Sequence, residues 1–169
     1  MRAPVALLAL VGFAAALAEA PPVAAAEPTA RILSYGRYDT RRTGHTEKAE
    51  RTVSGELQSV DQHRLIQQTE EIVGQPGNSF GVVLRLDDFP PGPVTLTIRM
   101  LHPPITNPKT GRTMTVSEYD WPVTQRDDVY FGYTFDHGWE IGEGLWTKQI
   151  VYDGRVIAEQ RFKVVVPLN

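Results

Sequence analysis

Hydrophobic and polar residues alternate along most of the chain after residue 26, and a period of two is typical of strands that bury one face. The clearest runs place on one face Phe80, Val82, Leu84 and Leu86; Val94, Leu96, Ile98 and Met100; and Val129, Phe131, Tyr133 and Phe135. Less regular strands are predicted at 31–38, 51–58, 64–73 and 113–123. The pattern predicts an all-β antiparallel sandwich, with a barrel as the alternative.

The first two clear runs are separated by "DDFPPGP", residues 87–93, which neither a helix nor a strand can run through. Because the runs are close in sequence, they are predicted to form an antiparallel pair.

One segment, "DQHRLIQQTEEIVG" at 61–74, fits a helix as well as a strand. Its apolar residues have helical spacing, Asp61 suits an N-cap and Gly74 suits a C-terminal stop. The periodicity alone does not decide between the two.

The dipeptide Asp153-Gly154, between two alternating runs, predicts a β-hairpin. A two-residue loop would place Val151 opposite Val156 and display Trp146 on the polar face, whereas a three-residue loop would place Ile150 opposite Val156 and bury Trp146. Burying one aromatic side chain contributes on the order of 2–3 kcal/mol, against roughly 0.2–1 kcal/mol for a surface cross-strand pair. The hairpin is therefore predicted to bury Trp146 through a three-residue loop, with Lys148 as a misfit on the apolar face.

The first 26 residues have the layout of a secretory signal peptide: Arg2, an apolar run at 5–17, and small residues at Ala24 and Ala26. Cleavage after Ala26 would leave residues 27–169 as a single domain. The predicted mature chain has no membrane span and, without any cysteine, no disulfide. A periplasmic or secreted location is expected.

The net charge of −3 gives no overall field for nucleic acid, so no nucleic-acid partner is predicted. Basic residues gather in the polar segment 36–51, but its acidic residues dilute the patch. This segment is predicted to be a solvated loop, with an anion contact as the alternative.

The common catalytic and metal-binding motifs do not occur: the sequence has no serine elbow, zincin motif or phosphate loop. The four histidines, His45, His63, His102 and His137, lie far apart in sequence, so no metal site is predicted. No cofactor is expected either. The remaining enzyme candidate is the carboxylate pair Glu118 and Asp120, whose spacing of about 7 Å along a strand suits glycoside hydrolysis.

Aromatic residues give a second candidate site. Tyr119, Trp121 and Trp139 lie near loops or acidic residues, where exposed rings can stack on a sugar or anchor a protein. The alternative is that Trp121 and Trp139 close the ends of the sandwich as structural side chains.

The end of the chain, "YTFDHGWEIGEGLWTKQIVYDGRVIAEQRFKVV", resembles a bacterial family of exported Ig-like domains, the domain of unknown function numbered 3859. The resemblance rests on Gly144, Trp146, Phe162 and Val164, and on Thr69, Ile72, Gly77, Phe80 and Gly81 in "QQTEEIVGQPGNSFGVVLRL". It implies an antiparallel Ig-like β-sandwich of about seven to nine strands. It also implies a strand around Thr69. Lys148 departs from the family pattern, and the matching residues specify no chemistry.

These observations favour an exported, non-catalytic Ig-like binding or structural module of the bacterial cell envelope, whose partner is an envelope protein or a glycan. The alternative is a carbohydrate-binding or carbohydrate-active protein that uses the exposed aromatics and the carboxylate pair.

Overall fold

The computed structural model describes residues 26–123 and 126–167, which form nine strands and one short 3₁₀ helix, Gly138–Glu140. The strands are β1 (Thr29–Lys48), β2 (Glu56–Gln67), β3 (Glu71–Val73), β4 (Ser79–Asp87), β5 (Val94–Thr106), β6 (Thr113–Val123), β7 (Val129–Thr134), β8 (Gly144–Tyr152) and β9 (Arg155–Val165). The predicted signal peptide falls almost entirely outside these residues. Within them, no helix is long and apolar enough to cross a membrane.

The strands form two sheets, in the orders β2-β1-β4-β7 and β3-β9-β8-β5-β6. Neighbouring strands are antiparallel except β3 and β9, which are parallel. The two sheets face each other across one hydrophobic core, as in an Ig-like sandwich. The predicted all-β Ig-like fold is confirmed.

The core is made by the alternating apolar faces that the sequence pattern indicated. Four fully buried aromatic side chains lie near its centre: Phe80, Phe135, Trp146 and Phe162. The Phe80 ring lies 5.8 Å from the Trp146 ring and 5.1 Å from the Phe162 ring, both edge to face. Trp146 is therefore structural, as the burial argument predicted, and its Nε1 donates to the Gly142 carbonyl at 2.7 Å.

The predicted pairing of the strands at 80–86 and 94–100 is wrong. These strands are β4 and β5, which belong to different sheets. Each buries its apolar face in the shared core from its own side, so the proline-rich connection at 88–93 crosses between the sheets instead of closing a hairpin.

The ambiguous segment at 61–74 contains no helix. The family resemblance implied a strand around Thr69, and strands lie on both sides of it, but Thr69 itself falls between them. The segment contains the end of β2, a break at 68–70 and the short strand β3. The polar segment at 36–51, predicted to be a loop, is strand up to Lys48. Its side chains are mostly exposed, because this part of β1 pairs with β2 beyond the area where the sheets face each other.

The hairpin of β8 and β9 combines features of both predicted registers. Its loop is the two-residue Asp153-Gly154, with φ values of 48° and 74° that suit a type I′ turn, so Val151 lies opposite Val156. A register shift next to Ile150 then places Ile150 opposite Ala158. The extra residue in β9 turns the later side chains to the core face, so that Trp146 is buried although the loop has two residues. The predicted three-residue loop is wrong, because Ile150 does not lie opposite Val156, and Val156 is exposed.

Candidate functional site

The candidate site depends on the length of β1, which has 20 residues. Its first half pairs with β4, but from Asp39 onward it pairs with β2 alone. We call residues 39–67, which form this two-stranded extension and its turn, the β1–β2 arm. Because the arm leaves the first sheet, it can reach the edge of the second.

The tip of the arm docks on β6. The Glu118 N–H donates to the Arg51 carbonyl at 2.9 Å, and the Val53 N–H donates to Ser117 Oγ at 3.1 Å. Asn107 Nδ2 donates to the Val53 carbonyl at 2.9 Å, and the Val53 side chain is buried in the core cluster. The arm is thus fastened to the opposite sheet by both backbone and side chain.

A buried histidine supports this attachment. His102 Nδ1 lies 2.8 Å from the Pro103 carbonyl, and its Nε2 lies 3.1 Å from Ser117 Oγ. Since a carbonyl only accepts, Nδ1 carries the proton and Nε2 accepts from the Ser117 hydroxyl. Burial lowers the pKa of His102, which keeps the ring in this neutral form.

A cavity of about 950 Å³ lies beneath the arm. Its wall combines the arm, β5, β6 and Lys148 of β8 from one sheet, β7 from the other, and the segment around the 3₁₀ helix. The buried and partly buried part of the wall is mostly aromatic and aliphatic, with Ile98, Met100, Tyr119, Phe131, Tyr133 and Trp139, and Trp121 forms a more exposed part. A partly apolar concavity of this size suits a small molecule.

The three aromatic residues singled out in the sequence all line this one cavity: Tyr119, Trp121 and Trp139. Tyr119 and Trp139 are partly buried and pack against the core. Trp121 is 39% exposed and lies in contact with the Phe131 ring, at 6.2 Å. The structure therefore brings these residues together, although they come from β6 and from the 3₁₀ helix.

Tyrosines close the cavity against the arm. The Tyr130 ring of β7 stacks on His63 of the arm, with centroids 4.6 Å apart and planes 8° apart, and lies 5.0 Å from Tyr38. Burial raises the pKa of Tyr119, Tyr130 and Tyr133 above the usual range, so their hydroxyls stay protonated at neutral pH. They are neutral groups able to donate a hydrogen bond.

Lys148 is the least expected part of the wall. It lies on the core face of β8, between Met100 and Gln160 of the neighbouring strands, and is 3% exposed. Its Nζ lies 3.4 Å from the Gly132 carbonyl, a long contact for a group with three donors. Loss of hydration lowers the pKa of Lys148 to about 7.

Glu140 is a second buried charged residue in the wall, 2% exposed. Its Oε2 accepts from the backbone N–H groups of Asp136 at 2.6 Å and His137 at 3.0 Å. Burial raises the pKa of its carboxyl, and the two hydrogen bonds oppose that effect. Glu140 therefore fixes the loop after β7.

The carboxylate pair Glu118 and Asp120 lies on the other face of β6, because these residues alternate with the side chains that line the cavity. Arg51 bridges the two, at 2.9 Å from Glu118 and 2.8 Å from Asp120. Glu118 also accepts from Arg99, and Asp120 accepts from Thr97. Their oxygens thus serve to hold the arm.

Within the described ranges, no group of three or more His, Asp or Glu side chains is placed to hold a metal ion. His45 and Glu47 form a surface contact, and the His137 ring stacks on Trp139 at 5.8 Å.

The sequence pattern did not indicate that Lys148 and Tyr133 line a cavity, or that β1 and β2 extend into an arm. The one signal for Lys148 was its position on an otherwise apolar strand face. Nothing in the local pattern indicated the arm, because its contacts are long-range. Val53 contacts Ser117, and Arg51 contacts Glu118, across separations of 64 and 67 positions in the sequence.

The fold and this cavity define the chain as an immunoglobulin-like β-sandwich domain with a cavity beneath a strand extension. The chain belongs to the family described as Domain of unknown function (DUF3859), whose model matches residues 26–164.

Its structure is also similar to that of an immunoglobulin-like protein from Pseudomonas aeruginosa. The TM-score is 0.62 and the sequence identity is 23%, over 85% of this chain and 100% of that chain. At this identity the similarity shows the fold alone. A comparison with curated proteins gives no match.

Proposed function

We propose that the chain is an exported, non-catalytic binding domain of the bacterial cell envelope, and that it takes a small ligand in the cavity beneath the β1–β2 arm. Export is supported by the signal-peptide layout of residues 1–26. Binding is supported by the cavity, and this is the observation that carries the proposal.

The cavity has the composition of a ligand site. Its aromatic and aliphatic wall offers area for hydrophobic contact, and Lys148, Glu140 and the tyrosine hydroxyls offer a few polar groups for orientation. Trp121 is exposed enough to meet a ligand at the entrance.

A non-catalytic role is favoured over the carbohydrate-active alternative by the position of Glu118 and Asp120. A glycosidase needs one carboxyl that can give up a proton to the leaving group and a second that can attack or activate water. Here Arg51 contacts both carboxylates, and both face away from the cavity.

The test is a thermal-shift screen of residues 27–169 against a library of small acids, amines, sugars and peptides. Compounds that raise the melting temperature are tested again on Trp121→Ala and Trp139→Ala. Leu145→Ala is the matched control, because Leu145 is a large apolar residue that is 60% exposed and lies outside the cavity.

We expect at least one compound class to stabilise the native chain and Leu145→Ala equally, and to stabilise the two tryptophan variants less. A library without a stabilising compound, or shifts that are the same in all four chains, would rule out the cavity as the binding site.

A further inference from the structure

Resting on the proposed function, we infer that the cavity takes a monocarboxylate with an apolar body, whose carboxylate binds the ammonium of Lys148. The inference concerns the chemical class of the ligand. It follows from one buried cation, the groups around it and the charges at the entrance.

Lys148 is a buried cation without a charged partner. Among the described residues it forms no ion pair, and its hydrogen-bond contact is the one with the Gly132 carbonyl at 3.4 Å. An ammonium that has lost its water needs acceptors, and a buried charge is costly unless it is paired. A carboxylate supplies both the acceptors and the opposite charge.

The rest of the inner wall fits the body of such a ligand. Ile98, Met100 and Phe131 provide apolar contact, and Tyr119 and Tyr133 provide rings with hydroxyls that can donate. The ligand can therefore place its carboxylate near Lys148 and its apolar part against these side chains.

The entrance disfavours a second negative charge. Glu56, Asp61 and Asp128 line the cavity and are exposed, against one exposed cation among the described wall residues, Lys109. Asp61 pairs with Arg41 at 2.7 Å, so Glu56 and Asp128 leave the exposed wall with an excess of negative charge. Two further acidic wall residues are also engaged: Asp136 pairs with Arg42 at 2.7 Å, and Glu140 accepts two backbone N–H groups. A polyanion would meet the exposed carboxylates, whereas a monoanion needs to neutralise Lys148 alone.

The ionisation of Lys148 makes the affinity for a carboxylate ligand depend on pH. Its pKa near 7 means that the ammonium form dominates in mildly acidic solution and the neutral amine in basic solution. The buried titratable groups of the elements around it are His102 of β5 and Tyr119 of β6 in its own sheet, Tyr130 and Tyr133 of β7 in the other sheet, and Glu140. The tyrosines stay neutral up to strongly basic pH and His102 is held neutral, so Lys148 dominates the change above neutral pH.

The test compares matched acids and amides by isothermal titration calorimetry on residues 27–169. The probes are phenylacetate against phenylacetamide and octanoate against octanamide, which differ in charge and little in shape. The variant is Lys148→Met, whose unbranched side chain is one atom shorter and carries no charge. Lys163→Met is the control, because Lys163 is exposed on β9 away from the cavity.

At about pH 6 we expect at least one acid to bind at least about tenfold more tightly than its amide, because a charge-assisted hydrogen bond contributes more than a neutral one. Lys148→Met should lose this preference and Lys163→Met should keep it. Between about pH 6 and about pH 9 the affinity for the acid should fall at least about tenfold.

Equal affinity for acid and amide, or the same preference in Lys148→Met, would overturn the inference about the ligand class while leaving a binding cavity in place. Failure of all four probes would also overturn it, and the library screen would then decide separately whether the cavity binds anything. Circular dichroism of Lys148→Met checks that the variant is folded.

Discussion

At the residue scale, Lys148 is the side chain that fits a structural role least. A core position on β8 would be filled most simply by an apolar residue, such as Met100, which lies beside it on β5. Burying an unpaired ammonium lowers stability. A residue that lowers stability in the core is most readily explained by function, which is consistent with its position in the cavity wall.

Lys148→Met is predicted to raise the free energy of unfolding by on the order of 2–4 kcal/mol at about pH 6. The folded pKa near 7 lies below the unfolded value of 10.5, so between these values the unfolded state binds more protons. Stability of the native chain should therefore rise with pH across this window, by up to about 1.4 kcal/mol per pH unit.

The stability advantage of Lys148→Met should shrink as the pH rises from about 7 to about 9, where tyrosines in the unfolded chain are still mostly protonated. Urea unfolding of both chains at several pH values measures this. A native chain whose stability is flat across the window, or a variant that is less stable at mildly acidic pH, would show that Lys148 is not buried as described.

At the element scale, the β1–β2 arm makes the cavity, because without it the edge of β6 and the Tyr130 ring would face solvent. Ser117 is central to its attachment: its hydroxyl accepts from the Val53 N–H and donates to His102. Val53 and His102 are both buried.

Ser117→Ala is predicted to lower the free energy of unfolding by about 1–3 kcal/mol, because it leaves a buried donor and a buried acceptor unpaired. It should also speed amide hydrogen exchange in residues 49–55 more than in β8 or β9. Thr115→Ala is the matched control, an exposed hydroxyl two residues away on the same strand. Equal effects of the two substitutions would argue against the arm attachment.

Gly36 sets the point at which β1 passes from one partner strand to the other. Its φ is +133°, and a Cβ there would lie 2.1 Å from the Gln67 carbonyl oxygen. Gly36→Ala is predicted to lower the free energy of unfolding by about 3 kcal/mol or more, since both the backbone conformation and the space exclude a side chain.

Gly92→Ala is the control for Gly36→Ala. Gly92 has a φ of +92°, but nothing lies within 4 Å of the position that a Cβ would take. Gly92→Ala should therefore lower the free energy of unfolding by about 1 kcal/mol. Chemical denaturation measures both variants. A Gly36→Ala chain as stable as Gly92→Ala would mean that β2 does not approach Gly36 this closely.

At the scale of the whole molecule, the sequence was a good guide to which face of each strand is buried and a poor one to which strands pair. Alternation is local, so Phe80 and Leu96 could be assigned to the core from their neighbours alone. Pairing depends on contacts far apart in sequence. The turn at 88–93 therefore suited a hairpin as well as the crossing between sheets that the structure has.

The candidate site was only partly predictable for the same reason. Tyr119, Trp121 and Trp139 were chosen as aromatics near loops, and they do lie together in the cavity wall. Their convergence depends on the arm, whose docking through Arg51 and Val53 no local pattern reveals. The β8–β9 register was predicted wrongly because β9 contains one extra residue. After that residue, the side chains of β9 point to the opposite face of the sheet from the one that a regular pairing would give.

Export is a prediction that belongs to the whole chain. We expect the protein, expressed from its full sequence in a Gram-negative host, to be recovered from the periplasm or the medium beginning at Glu27. Glu27 already contacts Arg155 at 2.6 Å, close to the start of β1. N-terminal sequencing of the recovered chain measures this, and a cytoplasmic chain that retains residues 1–26 would contradict it.

The measurement that tests the account most directly is an NMR titration of ¹⁵N-labelled residues 27–169 with phenylacetate and, separately, with octanoate, which follows the three tryptophan indole signals. Trp121 and Trp139 line the cavity, whereas Trp146 is buried in the core with its indole N–H bonded to Gly142. The account predicts that at least one of the two acids gives saturable shifts of the Trp121 and Trp139 signals and a smaller change at Trp146, and that Lys148→Met loses these shifts. Unmoved indole signals, or the same shifts in both chains, would contradict it.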